Sequence, residues 1–332
     1  MRTASVSLDL DNLWAFLKTH GDPEWERRPS YLATAVPRLL ELFAEQHLTT
    51  TVFVVGADAA REDGAEAVAA IAAAGHEIAN HSYEHEPWLH RYSRAELEAE
   101  LAGTEEAIIA AGAPRPTGFR GPGYSVTPEL LELLVERGYA YDASTLPTWI
   151  GPLARVYHNR ATRLSAEQRA DRSDLFGGVS RVLAPIHPYR WRVGDREDLV
   201  ELPVTTMPLI RVPIHGSYLL QLHQASPRIA RGYFAMALRL CRSRGVTPSL
   251  LLHPTDVLDR REAPGMDFFP GMAVPGPQKV ALLGWVLSSL RRHFEVVGTG
   301  EHVARLRAQG LDRERAATRV GSESRIARER SR

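Results

Sequence analysis

Two histidines stand four residues apart in Ala79-Asn80-His81-Ser82-Tyr83-Glu84-His85, just after the short β-like run HEIAN. Imidazoles at that spacing can share one face of a helical turn and hold a metal, or they can be two loop residues hydrogen-bonded to backbone. Further ligands decide between these readings. Asp9 and Asp11 close the run TASVSLDLD, and alternate strand residues point the same way, so both carboxylates can face one site. Two carboxylates side by side repel each other unless a cation or an arginine separates their roles. Arg120 ends TGFR, Asp142 ends YAYD and His253 ends SLLLH. Such groups serve proton transfer and metal-assisted chemistry. Each also has a plainer reading: Asp11-Asn12 can cap the next segment, Arg120 can sit on the surface beside a Gly-Pro turn, and His253 can be a satisfied strand-end histidine. Their shared place at the C-terminal ends of expected strands favours one common face, where parallel α/β barrels build their sites.

The elements that must position these residues alternate between strand-like and helix-like runs, which predicts parallel strands joined by covering helices. TASVSLDLD precedes the helical run YLATAVPRLLELFAEQH, in which Pro37 is expected to kink the helix or mark its first turn. TTTVFVVG is followed by an Ala-rich helix closed by Gly75. Ser93 with Glu96 forms a capping box, and Thr127-Pro128-Glu129 caps ELLELLVERG. LVELPVTT, a helix from about Ile229 to Arg244, PSLLLH, a helix around QKVALLGWVLSSLRRH and FEVVGT complete the alternation. Between about residues 150 and 198 the pattern breaks, and this stretch is expected to be an insertion over one end of the barrel.

With 40 Lys and Arg against 40 Asp and Glu in 332 residues, no net charge draws the chain to nucleic acid or an anionic membrane. The single cysteine, Cys241, excludes an intrachain disulfide and a cysteine-rich metal site. No apolar run reaches the ~18 residues of a membrane span. The start MRTASVSLDLDN enters a strand pattern without a leader-like apolar region, which gives a cytoplasmic expectation. Residues 311–332, rich in Arg and Ser, are expected to form a disordered tail after a single domain spanning 1–310.

The ordered set SLDLDN, HSYEH, FRGPGYS, YDAST and LLLHP resembles the polysaccharide deacetylases, the NodB-homology or carbohydrate esterase family 4 group, from about residue 5 to 300. The resemblance implies a distorted (β/α)7-type barrel, with the insertion over the C-terminal face of the strands. It implies that Asp11, His81 and His85 hold one divalent metal ion, Zn²⁺ first, with Co²⁺, Ni²⁺ or Mn²⁺ as alternatives. Asp9 would be the catalytic base, Arg120 its charge-balancing partner and His253 the general acid. A His₂Asp set leaves coordination positions open for water and a substrate carbonyl. Three details depart from the usual pattern: Leu10 separates the two aspartates, Gly123 precedes Tyr124 after Arg120-Gly121-Pro122, and no Asp-Trp pair is evident. Gly123 is a candidate backbone donor, Trp149 a loosely placed aromatic wall, and Asp142, with Glu201 competing, the carboxylate tuning His253.

The implied reaction is removal of an N-acetyl group from an amino sugar or glycan precursor. Inside the same fold the rival is a deformylase or a ring-opening amidohydrolase of the allantoinase type. A non-catalytic carbohydrate-binding barrel is the rival from another class, and a binding module has no need of a base such as Asp9. Trp149, Tyr157, Tyr189 and Trp191 are either stacking surfaces for sugar rings or anchors of the insertion, and His215 either lines the cleft or packs. No nucleic acid or membrane span is expected, and the oligomeric state stays open.

Overall fold

The computed structural model describes residues 1–150 and 184–317. Its sheet has ten strands: β1 Thr3–Asp9, β2 Thr51–Val54, β3 Glu77–Asn80, β4 Gly118–Phe119, β5 Tyr141–Asp142, β6 Tyr189–Val193, β7 Arg196–Glu201, β8 Ser249–Leu252, β9 Glu295–Val297 and β10 Glu314–Ala316. The path runs β10-β6-β7-β5-β4-β3-β2-β1-β8, with β9 beside the start of β1, and only β6 with β7 is antiparallel. Past β7 the chain crosses towards β8 as irregular backbone. Leu202 N–H bonds to Asp142 O at 2.9 Å, Val204 N–H to Thr145 O at 2.8 Å and Thr205 N–H to Ser249 O at 3.0 Å. Those bonds close β1, β2, β3, β4, β5, β7 and β8 into the distorted seven-stranded barrel, while β6, β9 and β10 are additions.

The alternation of β1 divides its residues between two environments. Ala4, Val6 and Leu8 face outward into the main apolar cluster, with Leu39, Phe43, Leu238, Leu283 and Leu287 of the covering helices. On the other face, the Ser5 hydroxyl meets His302 Nδ1 at 3.0 Å, and the Ser7 hydroxyl and Asp9 both meet Arg120. The strand therefore needs apolar and polar residues in turn.

Local signals behave as expected at most helix ends. Ser93 and Glu96 make the reciprocal capping box of helix Arg94–Ala110, and Thr127 accepts from Leu130 N–H ahead of Pro128. Gly75 adopts φ 83° just beyond helix Glu62–Ala73. Helix Leu32–Glu45 instead continues through Pro37, which lies in its second turn.

Two expectations are corrected. The stretch expected to be an insertion up to about 198 contains β6 and the start of β7, both part of the sheet. Tyr189 and Trp191 are buried in a second core with Leu130, Leu134 and Leu199, so they anchor this region and offer no face to a sugar. Tyr157 lies outside the described residues. The tail expected from 311 contributes β10, which pairs with β6 and sets the Arg315 guanidinium 5.6 Å from the Trp191 ring centroid. Residues 318–332 lie outside the described residues.

Gly118 in β4 lets the Tyr141 ring of β5 cross it: an added Cβ would lie 2.0 Å from Tyr141 Cζ. That ring is buried and its hydroxyl donates to Glu77 at 2.9 Å, so it has nowhere to retreat. Gly118→Ala is therefore expected to cost about 1–3 kcal/mol by overpacking. Chemical denaturation should show a lower midpoint at unchanged slope, and an unshifted midpoint would disprove the close contact.

Candidate active site

Asp11 follows β1, and His81 and His85 follow β3, its neighbour but one in the sheet. Asp11 Oδ1 lies 3.2 Å from His81 Nε2 and 3.1 Å from His85 Nε2. All three candidate ligand atoms fall within 4.8 Å of one another. Donors about 2.1 Å from a shared cation stand roughly 3–3.4 Å apart, so the carboxylate-to-imidazole separations suit a metal. Asp11 Oδ1 is buried with no hydrogen bond of its own, as a ligand atom would be. His81 Nδ1–H donates to the Arg120 carbonyl at 2.6 Å, which fixes the tautomer and leaves Nε2 facing Asp11. Burial acts to raise the Asp11 pKa, but His85 and His81 outweigh it and hold the carboxyl well below its ordinary value. Burial acts to lower the His81 pKa, and the Asp9 and Asp11 carboxylates reverse that into a net rise.

The histidine segment is an irregular loop, not a helical turn. Ser82 and His85 take left-handed backbone, with φ 62° and 53°. This shape is held from outside. Asn80 Oδ1 accepts Ser82 N–H at 2.8 Å, and Glu100 Oε2 accepts the N–H groups of Tyr83 and Glu84 at 2.6 and 2.9 Å. Tyr83 lies against Gly56 and Gly103, where a Cβ at Gly56 would come 2.5 Å from its ring. On the Asp11 side, Tyr31 O–H donates to the Asp11 carbonyl, and Asn12 caps helix Leu13–His20 while donating to Asp58 at 2.8 Å. Burial pushes the Asp58 pKa up to about 6, against its bonds from Asn12 and Trp14.

Asp9 sits beside this cluster, with Oδ2 3.8 Å from His81 Nε2. Its Oδ1 accepts from Arg120 Nη1 at 2.5 Å. Arg120 is fully buried; it also bonds Ser7 Oγ and the Ala143 carbonyl, each at 3.0 Å, and lies 4.1 Å from the Phe53 ring centroid. The surface reading of this arginine is thereby excluded. Gly121 N–H donates to Ser144 Oγ at 2.8 Å, and the following turn Pro122–Tyr124 bends through Gly123 at φ 57° and Tyr124 at φ 62°.

His253 follows β8, but neither carboxylate expected to tune it does so. Asp142 accepts from Ser144 and faces Glu201 across the β5–β7 register. Glu201 accepts from Thr145 N–H at 2.9 Å and Trp191 Nε1–H at 3.0 Å. The carboxylate beside His253 is Asp256, whose Oδ2 takes the His253 main-chain N–H at 2.9 Å, with Ser217 Oγ between Asp256 Oδ1 at 2.8 Å and His253 Nδ1 at 3.3 Å. The His-Pro-Thr-Asp spacing, a capping signature, was the signal available for Asp256; nothing local marks Ser217. Trp149, on the loop after β5, is 45% exposed, with its indole N–H on the Ile210 carbonyl at 2.6 Å.

A family profile described as Polysaccharide deacetylase matches residues 24–141, a span that includes His81, His85 and Arg120. A curated relative, the peptidoglycan deacetylase of Helicobacter pylori, is 31% identical over 197 residues, covering 58% of this chain and 66% of that protein. By that profile and that relative, the chain is similar to polysaccharide deacetylases over the matched spans. It spans just under two thirds of that relative's length. Among solved structures, a Mycobacterium smegmatis protein described provisionally as a polysaccharide deacetylase is similar over 94% of this chain and 93% of its own, at TM-score 0.60 and 23% identity. The Puue allantoinase is similar over 93% and 91%, at TM-score 0.55 and 15% identity. Both likenesses concern the fold. Asp9, Asp11 and His253 fall outside the span that the deacetylase profile matches, so their assignment rests on geometry.

The Asp142 and Glu201 carboxyls form a buried pair behind the Arg120 turn. Burial, with Asp142 alongside, raises the Glu201 pKa well above the ordinary 4.5. The folded protein then binds this proton more tightly than the unfolded chain, so the stabilisation is complete below about 4.5 and is lost as pH rises through the native value. Glu201→Gln removes that linkage. Melting temperatures recorded from pH 4 upwards, about the unfolded value, should fall less steeply with pH in the variant than in the wild type. Parallel slopes would rule out a protonated Glu201.

Proposed function

We propose that this protein is a metal-dependent hydrolase that removes the acetyl group from an N-acetylated amino sugar or a glycan precursor carrying one. One observation carries the reading: the Asp11, His81 and His85 donor atoms converge within 4.8 Å beside an aspartate locked by a buried arginine. Asp11, His81 and His85 would hold one divalent ion, with Zn²⁺ proposed because mixed imidazole and carboxylate sets of three suit hydrolytic zinc. Bound there, such an ion would polarise the amide carbonyl and acidify water.

The chain's own residues supply the rest. Arg120 fixes Oδ1 of Asp9, leaving Oδ2 to accept the proton of the attacking water. His253, at the end of β8, delivers a proton to the nitrogen as the C–N bond breaks, so that an amine and acetate leave in place of the amide and water. The left-handed Gly123 turn follows Arg120 and is the candidate source of a backbone N–H for the developing oxyanion. A pure binding module has no use for an aspartate held ready in this way.

Metal analysis of the purified protein should find about one divalent ion per chain, and His81→Ala or His85→Ala should lose it. Full retention in both variants would refute the ligand assignment. Asp9→Asn should keep the ion while turnover falls roughly 100- to 10,000-fold, and unchanged turnover would refute the base. Acetate release should be followed on free and nucleotide-linked N-acetyl sugars and on N-acetylated glycans, with N-formyl sugars and cyclic ureides in parallel. Preferred release of formate, or ring opening, would replace deacetylation with the corresponding amidohydrolase.

A further inference from the structure

The contacts around His253 assign it a support different from the one its sequence context suggests. Asp256 stands three residues later, in the short helical turn Pro254–Asp256, and is fully buried. Both of its oxygens act as acceptors, Oδ2 from the His253 main-chain N–H and Oδ1 from the Ser217 hydroxyl. A serine hydroxyl has one hydrogen. With that hydrogen committed to Asp256, Ser217 Oγ can only accept at its 3.3 Å contact with His253 Nδ1. The Asp256 main-chain N–H is taken by the His253 carbonyl at 2.9 Å, so this contact places the imidazole proton best on Nδ1, with Nε2 left for the reaction.

The surroundings are shaped for this contact. Ser217 is the second residue of helix Gly216–Ala225, whose N-terminus faces Asp256. Gly216 makes the approach possible: a Cβ there would lie 2.1 Å from Asp256 Oδ2 and 3.0 Å from Leu252 Cδ2. The helix dipole favours the carboxylate so placed. From helix Gly276–His293, buried Lys279 lends positive charge towards Asp256 while its ammonium donates to the Thr255 carbonyl at 2.7 Å. Burial raises the Asp256 pKa, opposed by His253, Ser217 and Lys279. The His253 ring is flanked by Phe16 and Phe269, each at 6.3 Å between centroids, and by His215 at 6.4 Å. Burial lowers the His215 pKa to about 3, so it stays neutral and does not compete for the proton. Tyr31 faces Asp256 from the metal-ligand side, with its hydroxyl committed to the Asp11 carbonyl.

We propose that Ser217 is a positioning residue, whose hydroxyl links buried Asp256 to Nδ1 of His253, fixing the imidazole tautomer and presenting Nε2 as the atom that delivers the proton. The role in proton delivery rests on His253 being the general acid of the reaction proposed above; the hydrogen-bond relay itself does not.

The test uses zinc-loaded, ¹⁵N-histidine-labelled full-length protein, with His253 signals identified by comparison with His253→Gln. In the wild type the neutral ring should be protonated at Nδ1. Ser217→Ala should mix the two tautomers and move the Nδ1–H proton resonance upfield, as loss of its hydrogen bond requires. Ser217→Thr, which keeps the hydroxyl, should restore both, and unchanged metal content and melting temperature would show that the fold is intact. In the activity arm, Ser217→Ala should lower kcat and move the alkaline limb of its pH profile down, with KM little changed. A wild-type ring protonated at Nε2, or a Ser217→Ala ring with unaltered tautomer and Nδ1–H resonance, overturns the relay. Absence of any metal-dependent amide hydrolysis by the wild type would sink the functional reading instead, while the NMR result would still decide the relay.

Discussion

The site depends on the ion pair between Asp9 and Arg120 inside the barrel. Asp9 and Asp11 lie two residues apart and are both almost wholly buried, an arrangement that repels unless each carboxylate has its own positive partner. Arg120 reaches Asp9 from β4, and β2 and β3 separate β4 from β1 in the sheet. The pair therefore crosses the barrel interior. An unpartnered buried charge costs several kcal/mol, so this crossing is tolerable only because Arg120 is also bonded to Ser7 and Ala143 and lies over the Phe53 ring. Taking Asp9 out of contention for the imidazoles leaves Asp11 as the carboxylate that His81 and His85 share.

That division of labour explains the irregular backbone around it. His85 can meet Asp11 only if the loop after β3 folds back, and it does so through left-handed Ser82 and His85. Non-glycine residues persist in that conformation where the surroundings over-determine them. Here Asn80, Glu100 and the Tyr83 ring packed on Gly56 and Gly103 do so. The His81 bond to the Arg120 carbonyl joins this loop to the arginine turn, so the candidate ligands and the candidate base share one scaffold.

The alternation of parallel strands with covering helices and the convergence of Asp9, Asp11, His81, His85 and Arg120 were legible because strand periodicity and C-terminal strand ends are local properties that topology turns into one face. The alternation Ser5, Ser7, Asp9 against Ala4, Val6, Leu8 already states which side of β1 is polar. Less legible was whatever depends on non-local pairing. Tyr189 and Trp191 read as an aromatic insertion because nothing local announces that β6 returns antiparallel to β7 and buries them. The Arg-rich tail concealed β10, whose three residues carry no strand pattern of their own and form against β6. Asp142 and Glu201 carried strand-end positions like the others, yet those positions cannot say which neighbour a carboxylate meets.

The buried carboxyls outside the Asp11, His81 and His85 cluster divide between the two sides of the site. Asp142, with Glu201, holds Ser144, and Ser144 holds Gly121 next to Arg120; this pair supports the side that carries Asp9. Asp256 supports His253 through Ser217 from a different segment. A base is well served by a cation that fixes one oxygen and frees the other, and an acid by an anion that draws the unused ring nitrogen into a hydrogen bond. Had Asp142 served His253, one carboxyl would have had to brace the arginine turn and the imidazole together, coupling the two candidate proton-transfer groups. With separate supports on β5 and β7 and after β8, the orientation of His253, the candidate acid, can change without disturbing the pair that fixes Asp9, the candidate base.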